Sequence, residues 1–374
     1  MKILIFMAGF FPGKKYGGPP VSVDNFCSLM SGFECFIVTR NHDMDEIEEY
    51  KGISGGWNDR NNCKVKYLSD SDYKKTDFEK IILDIKPDII YLQGLFQSCV
   101  LPCLSLAKKH GINVILALRG EVCANALAIR KFKKVPYIYA LRIIGLLKNV
   151  SFQSTSAEET AAIHKYLKVP YEKIHFLPNI PSIPAKVYPR PEKKAGSAKF
   201  IFLSRIHPKK NLLSAIHYFG MVSGNVKFDI YGPVEDEGYW KQCQVAIKKL
   251  PENINVNYCG LVSHDEVCQV FSRYDAFLFP TLSENYGHVI AESLCVGTPV
   301  ITSDQTPWTD IDEAGAGRVL PLDKNAEFAN VIQEIVDTDD ANMKVKREKT
   351  QHFIQDKIAI TNIEKKYRTI LESL

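Results

Sequence analysis

The chain lacks most of the signals that identify a protein early. Its ten cysteines contain no Cys-x-x-Cys pair, and Cys99 and Cys103, the nearest approach to a metal-ligand spacing, have no His pair to complete them. This argues against a zinc site and a disulfide framework, and for a reduced, cytosolic setting in which Cys35, Cys259 and Cys295 serve as small hydrophobes in apolar runs. The formal net charge is only +4, from 47 Lys+Arg against 43 Asp+Glu, too weak to argue for a nucleic-acid partner. No stretch is long enough for a membrane span. No Gly-x-Gly-x-x-Gly follows a strand and no P-loop is present, which removes the motifs of a dinucleotide dehydrogenase and a P-loop ATPase. Internal repeats and low-complexity tracts are also missing. Lys2 followed by Ile3 to Phe11 resembles a short signal peptide. Gly13 to Gly18 rather than a small-residue cleavage site follows, so a buried first strand running into a glycine loop explains it better.

What is present is a series of short apolar runs with helix-like stretches between most of them. The first half has Ile3–Met7, Cys35–Thr39, Val65–Leu68, Ile89–Leu92 and Val114–Leu118; the second has Phe200–Ser204, Val226–Tyr231, Ile254–Cys259, Ala276–Phe279 and Val300–Thr302. Candidate helices include Phe96–His110 and Asn211–Val222. Continuous apolar strands separated by helices predict parallel sheets covered on both faces, and two such series predict two doubly wound domains. A chain of 374 residues has room for both. The break reads PNIPSIPAKVYPRPEKKAGSAK over 178–199, whose prolines and cations suggest a linker. The expected domains are 1–185 and 196–352, followed by a C-terminal segment 353–374 that crosses back to the first domain. Within that tail Gln355 to Leu374 reads as one helix, with Ile358, Ile363, Tyr367, Ile370 and Leu371 on a partial apolar stripe. Two parallel sheets facing a central cleft would bind ligand at the carboxyl ends of their strands.

Two segments carry chemistry. In Ser283 to Val300 a strand ends at Pro280, a polar loop follows, Gly287 opens a helix that stops at Gly297, and Pro299 starts the next strand. A helix start offers free N–H groups and partial positive charge to a phosphate, and glycine admits close approach. Glu284 on the loop and Glu292 inside the helix could hold sugar and ribose hydroxyl pairs, each carboxylate accepting two hydrogen bonds. The plain alternative is one solvated and one helix-face carboxylate. Arg205 and Lys210, five positions apart on a strand-to-helix loop, could clamp a diphosphate. Their plain alternative is an exposed basic loop.

With these residues in view, the sequence resembles glycosyltransferase family 4, the retaining enzymes with the GT-B fold. The Glu-x7-Glu element is Glu284 and Glu292, followed by Gly-Thr-Pro-Val at Gly297 to Val300. The Arg-x4-Lys pair is Arg205 and Lys210, and the glycine loop after the first strand is Gly17-Gly18. The resemblance covers essentially all of the second half and is patchier in the first. It implies an α/β GT-B architecture of two Rossmann-like domains and a nucleotide diphosphate sugar, in all expectation a UDP-sugar, as donor. Glu284 would lie beside the reacting face of the donor sugar and Glu292 would hold the ribose. Arg205 and Lys210 would bind the diphosphate, and the backbone of Gly287, His288 and Val289 would meet sugar or phosphates. Gly17 and Gly18 would close over the phosphates, and the loop around Val262 would lie near the base. The catalytic residues implied are Glu284, Arg205 and Lys210. No cofactor and no metal are expected, since the cations supply the charge a metal would bring.

The chain departs from the family where members often carry a His after the strand ending at Leu118. Here Arg119-Gly120-Glu121 stands, either part of the acceptor site or a local ion pair. His288 occupies a usually apolar position, so a side-chain role stays open beside a backbone one. Asp-x-Asp pairs at Asp43/Asp45, Asp70/Asp72, Asp310/Asp312 and Asp337/Asp339 read as solvated turns rather than metal ligands. Residues 127–148, LAIRKFKKVPYIYALRIIGLLK, mix cations with aromatics. They suit either an anionic membrane surface or two core helices split at Pro136 with a wet basic edge. The expected function is sugar transfer to a saccharide or polyprenyl-linked acceptor in bacterial surface polysaccharide synthesis, in the cytoplasm or peripherally on the inner face of the plasma membrane. A nucleotide-sugar epimerase of the same architecture and a non-catalytic nucleotide-sugar binder are the alternatives.

Overall fold

Strands that are apolar on both faces need cover on both faces, and the central strands Ile89–Gln93, Ala276–Phe279 and Val300–Ser303 are buried end to end. The computed structural model describes residues 1–374 apart from Ile183 and Ala185, and omits the side chains of Asn125, Ile360 and Thr361. The chain forms two units, one of Met1–Ile180 with Ile360–Leu374, the other of Pro181–Ala359. The domain edge expected at Ala185, and part of the expected linker, lie outside the described residues.

In the first unit the strands are β1 (Lys2–Phe6), β2 (Glu34–Arg40), β3 (Trp57–Arg60), β4 (Cys63–Leu68), β5 (Ile89–Gln93), β6 (Asn113–Ala117), β7 (Val150–Ser154) and β8 (Ile174–Phe176). Their order in one sheet is β3-β4-β2-β1-β5-β6-β7-β8, parallel except for β3 on β4. Lys2–Phe6, within the run expected to be a buried first strand, is a central strand. An apolar-run criterion passes over β7 because Ser151, Gln153 and Ser154 interrupt it. Gln153 is nonetheless buried: it accepts from the Tyr91 hydroxyl and donates to Leu177 O and Tyr367 Oη, both at 2.8 Å.

In the second unit β9 (Ser197–Leu203), β10 (Asn225–Tyr231), β11 (Ile254–Gly260), β12 (Ala276–Phe279), β13 (Val300–Ser303) and β14 (Gly317–Leu320) form an all-parallel sheet in the order β11-β10-β9-β12-β13-β14. This is the GT-B type of architecture, two Rossmann-like units. Cys259 is exposed rather than a core hydrophobe, because β11 is the edge strand.

Three local expectations need correction. The tail is two helices, Asp340–Ile358 and Ile360–Ser373, broken at Ala359 in the left-handed region at φ 32°. Ile358 is buried in the second unit; Ile363, Tyr367 and Leu371 are buried in the first. Residues 127–148 are not split at Pro136. One helix, Lys131–Ile143, runs through it, since the proline is exposed and water can replace the lost backbone bond. The described part of the linker is not all free either. Lys193 is buried, and its ammonium donates to the carbonyls of Lys194, Ser197, Val336 and Thr338 at 2.5–3.1 Å. Among the described residues no helix is long and apolar enough to cross a membrane.

The helix Asp340–Ile358 is locked to the second sheet by a buried ion pair, Arg347 Nη2 to Asp275 Oδ1 at 3.0 Å. Burial pushes the Asp275 carboxyl up and the Arg347 guanidinium down. Removing one partner strands a charge in the interior. Arg347→Met should therefore lower unfolding free energy by about 3 kcal/mol in urea titration, with Asp275→Asn in the same chain recovering part of the loss.

Candidate functional site

In the second sheet the strand order reverses at β9, which pairs with β10 on one side and β12 on the other. The loops leaving β9 and β12 therefore diverge at a topological switch point, where open α/β sheets bind ligands. After β9, the turn Pro208–Lys210 ends at Asn211, which sits in the left-handed region and donates its amide to Pro280 O at 2.9 Å. Leu282 N reaches Lys209 O at 2.9 Å. These bonds tie the basic loop to the loop after β12, and Lys210 meets the Glu284 carboxylate in a mostly buried ion pair. Lys210 also lies over the Phe279 ring, 5.4 Å from its centroid.

Arg205 is more open and pairs with Glu235 at 2.9 Å. An exposed pair of this kind is worth about 0–1 kcal/mol, so a phosphate can displace the carboxylate. Gly232 lets the loop after β10 come this close: its φ is 133°, and a Cβ there would fall 2.0 Å from Ser204 O. Lys209, which the sequence reading did not single out, is the third cation. Burial lowers its pKa first, and the positive charges of Lys210 and Arg205 add to that.

Gly287 caps the helix His288–Cys295 at φ 78°, with no side-chain cap and no acid in the first turn. A Cβ at Gly287 would meet Ile290 Cδ1 at 3.0 Å and Glu284 Cγ at 3.1 Å. His288 and Val289 open this helix, and the His288 ring packs edge-on against Tyr286 at 4.8 Å. The Tyr286 carbonyl is held by the Trp308 indole N–H.

Glu292 points elsewhere. It is buried, with the Ser182 hydroxyl donating at 3.5 Å and His264 Nδ1 at 3.8 Å. Burial raises its pKa to about 7, against the lowering by Ser182. Val262 lies on the loop between β11 and the turn His264–Glu266, two residues from His264. The structure thus brings Lys210 onto Glu284 directly, sets Arg205 and Lys209 on the same loop, and gives Glu292 a separate, buried setting.

In the first unit Gly17 has φ 69° and precedes the helix Gly18–Leu29, which also lacks a capping side chain and a first-turn acid. Arg119 and Glu121 are not ion-paired with each other. Arg119 donates to Gln93 Oε1 at 2.9 and 2.6 Å, to Ser22 Oγ at 3.2 Å and to Asn179. Glu121, raised by burial, accepts from the amides of Leu95 at 2.6 Å and Phe96 at 3.1 Å. Both line a cavity of about 680 Å³ formed by loops at the carboxyl edge of the first sheet, together with Arg40, His42, Asp70 and Gln93. Gln93 is buried and its Nε2 has no partner. A glutamine closing an otherwise apolar strand was the available signal for it.

The Asp-x-Asp pairs have local tasks. Asp43 accepts from the amides of Lys14 and Lys15, Asp70 pairs with Arg40, Asp310 with Lys357, and Asp339 caps a helix. Among the described residues no group of three or more His, Cys, Asp or Glu could hold a metal ion.

Residues 186–352 match the protein-family model described as Glycosyl transferases group 1. Over 167 residues the chain is 22% identical to the O-antigen chain mannosyltransferase B of Escherichia coli, covering 42% of each chain. Over 116 residues it is 30% identical to the UDP-N-acetylglucosamine–peptide N-acetylglucosaminyltransferase GtfA subunit of Streptococcus agalactiae, covering 30% of this chain and 21% of that one. The chain thus spans less than half the length of these curated relatives. Among solved structures, Anabaena HepE in complex with UDP and glucose superposes over 100% of both chains with a TM-score of 0.74 at 15% identity, a likeness of fold.

The Glu292 carboxyl offers a check on the geometry. Its folded pKa lies above the unfolded value near 4.5, so the stability it lends is full below that pH and is lost as pH rises to about 7. The span is worth about 3 kcal/mol. The unligated protein should lose melting temperature between pH 5 and 8, and Glu292→Gln should flatten that fall; an unchanged slope would place the titrating group elsewhere.

Proposed function

We propose, from the match of residues 186–352 to the glycosyl transferases group 1 family model, that this chain is a retaining glycosyltransferase using a UDP-sugar donor. Its acceptor in this reading is a saccharide or lipid-linked saccharide of a surface polysaccharide, and its place of work the cytoplasm. The observation that carries the reading is the convergence of Arg205, Lys209, Lys210 and Glu284 on two loops at the switch point of the second sheet. UDP appears in the description of the streptococcal relative and of the HepE complex, and O-antigen in that of the Escherichia coli relative.

The chemistry follows from charge. The bond between the sugar C1 and the β-phosphate oxygen breaks, and UDP leaves with the electron pair. An acceptor oxygen forms the new bond on the face UDP vacates, and its proton passes to a departing phosphate oxygen. Negative charge grows on the diphosphate as this happens. At ~4 Å and an effective dielectric near 20, each cation–phosphate contact is worth about 4 kcal/mol before desolvation. Arg205 and Lys210 would take the phosphates, and the helix opened by Gly287, His288 and Val289 would add its dipole. Glu284, steered by Lys210, would accept sugar hydroxyls beside C1. Glu292 would exchange its Ser182 contact for ribose hydroxyls, with the loop at Val262 near the base. Gly17 and Gly18 would cover the phosphates, and Arg119 and Glu121 would shape the acceptor cavity. With cations already placed for the leaving group, the reaction needs no divalent ion.

Glu284→Gln and Lys210→Ala should each cut sugar transfer about 100-fold or more, measured as UDP release from labelled UDP-sugars with acceptor present. Wild-type-like turnover in either would mean the site lies elsewhere. EDTA should leave the rate unchanged; a loss restored by Mn²⁺ would assign the leaving-group charge to a metal.

A further inference from the structure

The helix Lys131–Ile143 is built inside out relative to an ordinary surface helix. Its inner side anchors through Ile138 and Leu141, both buried. Its outer side carries Phe132, Pro136, Tyr139, Ala140 and Ile143, spaced at i, i+4, i+7, i+8 and i+11, so they share one face, and all five are exposed. Phe132 is 76% exposed and Ile143 83%. Ile129 and Ile144 extend the same apolar character past both ends, again exposed. A contiguous apolar face of this kind on the outside of a unit marks an interaction surface.

The charges around it select the partner. Between Glu121 and Glu158 the chain has no Asp or Glu, and it has six cations, Arg130, Lys131, Lys133, Lys134, Arg142 and Lys148. Lys134 is turned inward, donating to Ala126 O at 2.6 Å and lying over the Phe96 ring. Arg130, Lys131, Lys133 and Lys148 are exposed. Arg130 caps the helix without a side-chain bond, and no acid offsets the cations in the first turn. A helix start repels cations, so this arrangement is unfavourable in isolation and is relieved by anions brought from outside. An exposed apolar stripe framed by cations fits the interface of a bilayer: rings and aliphatics enter the acyl boundary while ammonium and guanidinium groups meet lipid phosphates.

We propose that this face of the first unit docks on an anionic lipid bilayer, with Phe132 and Ile143 inserted and Arg130, Lys131 and Lys133 at the headgroups. The proposal does not depend on the donor site or on the identity of the acceptor. It is tested by sedimenting the full chain with vesicles of phosphatidylcholine alone and of phosphatidylcholine with about 30% phosphatidylglycerol, at low and high salt. The expected result is binding to the anionic vesicles only, weakened by salt. It should fall at least tenfold in Phe132→Ser/Ile143→Ser and in Lys131→Glu/Lys133→Glu, while circular dichroism and melting temperature stay at wild-type values, since all four side chains are exposed. A wild-type chain that remains in the supernatant overturns the proposal, as do variants that bind like wild type. So does a self-associated chain that the apolar variant dissociates and that ignores vesicles, which would make a second copy the occupant.

Discussion

Lys210 and Glu284 neutralise each other in a place neither could occupy alone. Both side chains are mostly shielded from water, and an unpaired charge there would face a desolvation penalty of several kcal/mol. Their meeting requires the loop after β9 to lie against the loop after β12, a contact enforced by Asn211 on Pro280 and Leu282 on Lys209. The rest of the second unit serves that juxtaposition. The sheet order sets the two strands side by side, Gly232 removes the side chain that would keep the neighbouring loop away, and Trp308 pins the loop before the helix start.

Two carboxylates from one sequence element sit in contrasting settings. Glu284 faces an ammonium. Glu292, on the helix that Gly287 opens, is buried beside Ser182 and His264, and burial lifts its pKa to about 7. A carboxyl poised near neutrality can both donate and accept, whereas an ionised carboxylate only accepts. The pattern of two acids eight residues apart says nothing of this division; the environment does.

The first unit shows where polar residues can hide in an apolar sheet. Gln93 and Gln153 end or interrupt strands that otherwise read as core, each held by partners from distant segments: Arg119 for one, Tyr91 and Tyr367 for the other. Arg119 and Glu121 therefore have the character of a braced pair of walls rather than a mutual ion pair. Arg119 donates to Gln93, Ser22 and Asn179, and Glu121 accepts from two backbone amides, all of them more than twenty residues away in sequence.

Much of this was legible before any coordinates. Short apolar runs with helices between them dictate parallel sheets, because a strand apolar on both faces must be covered twice, and that reading requires only local periodicity. The segments around Arg205–Lys210 and Glu284–Val300 announced a polar site at strand ends for the same local reason. Other features depended on chain segments far apart in sequence: the polar strand β7, the left-handed break at Ala359, the capture of Lys193 by four carbonyls and the contribution of Lys209. Periodicity reports which face of an element is buried. Only the tertiary structure decides which loops meet, and so which charges are paired, which acid is desolvated, and which apolar helix face is left to water.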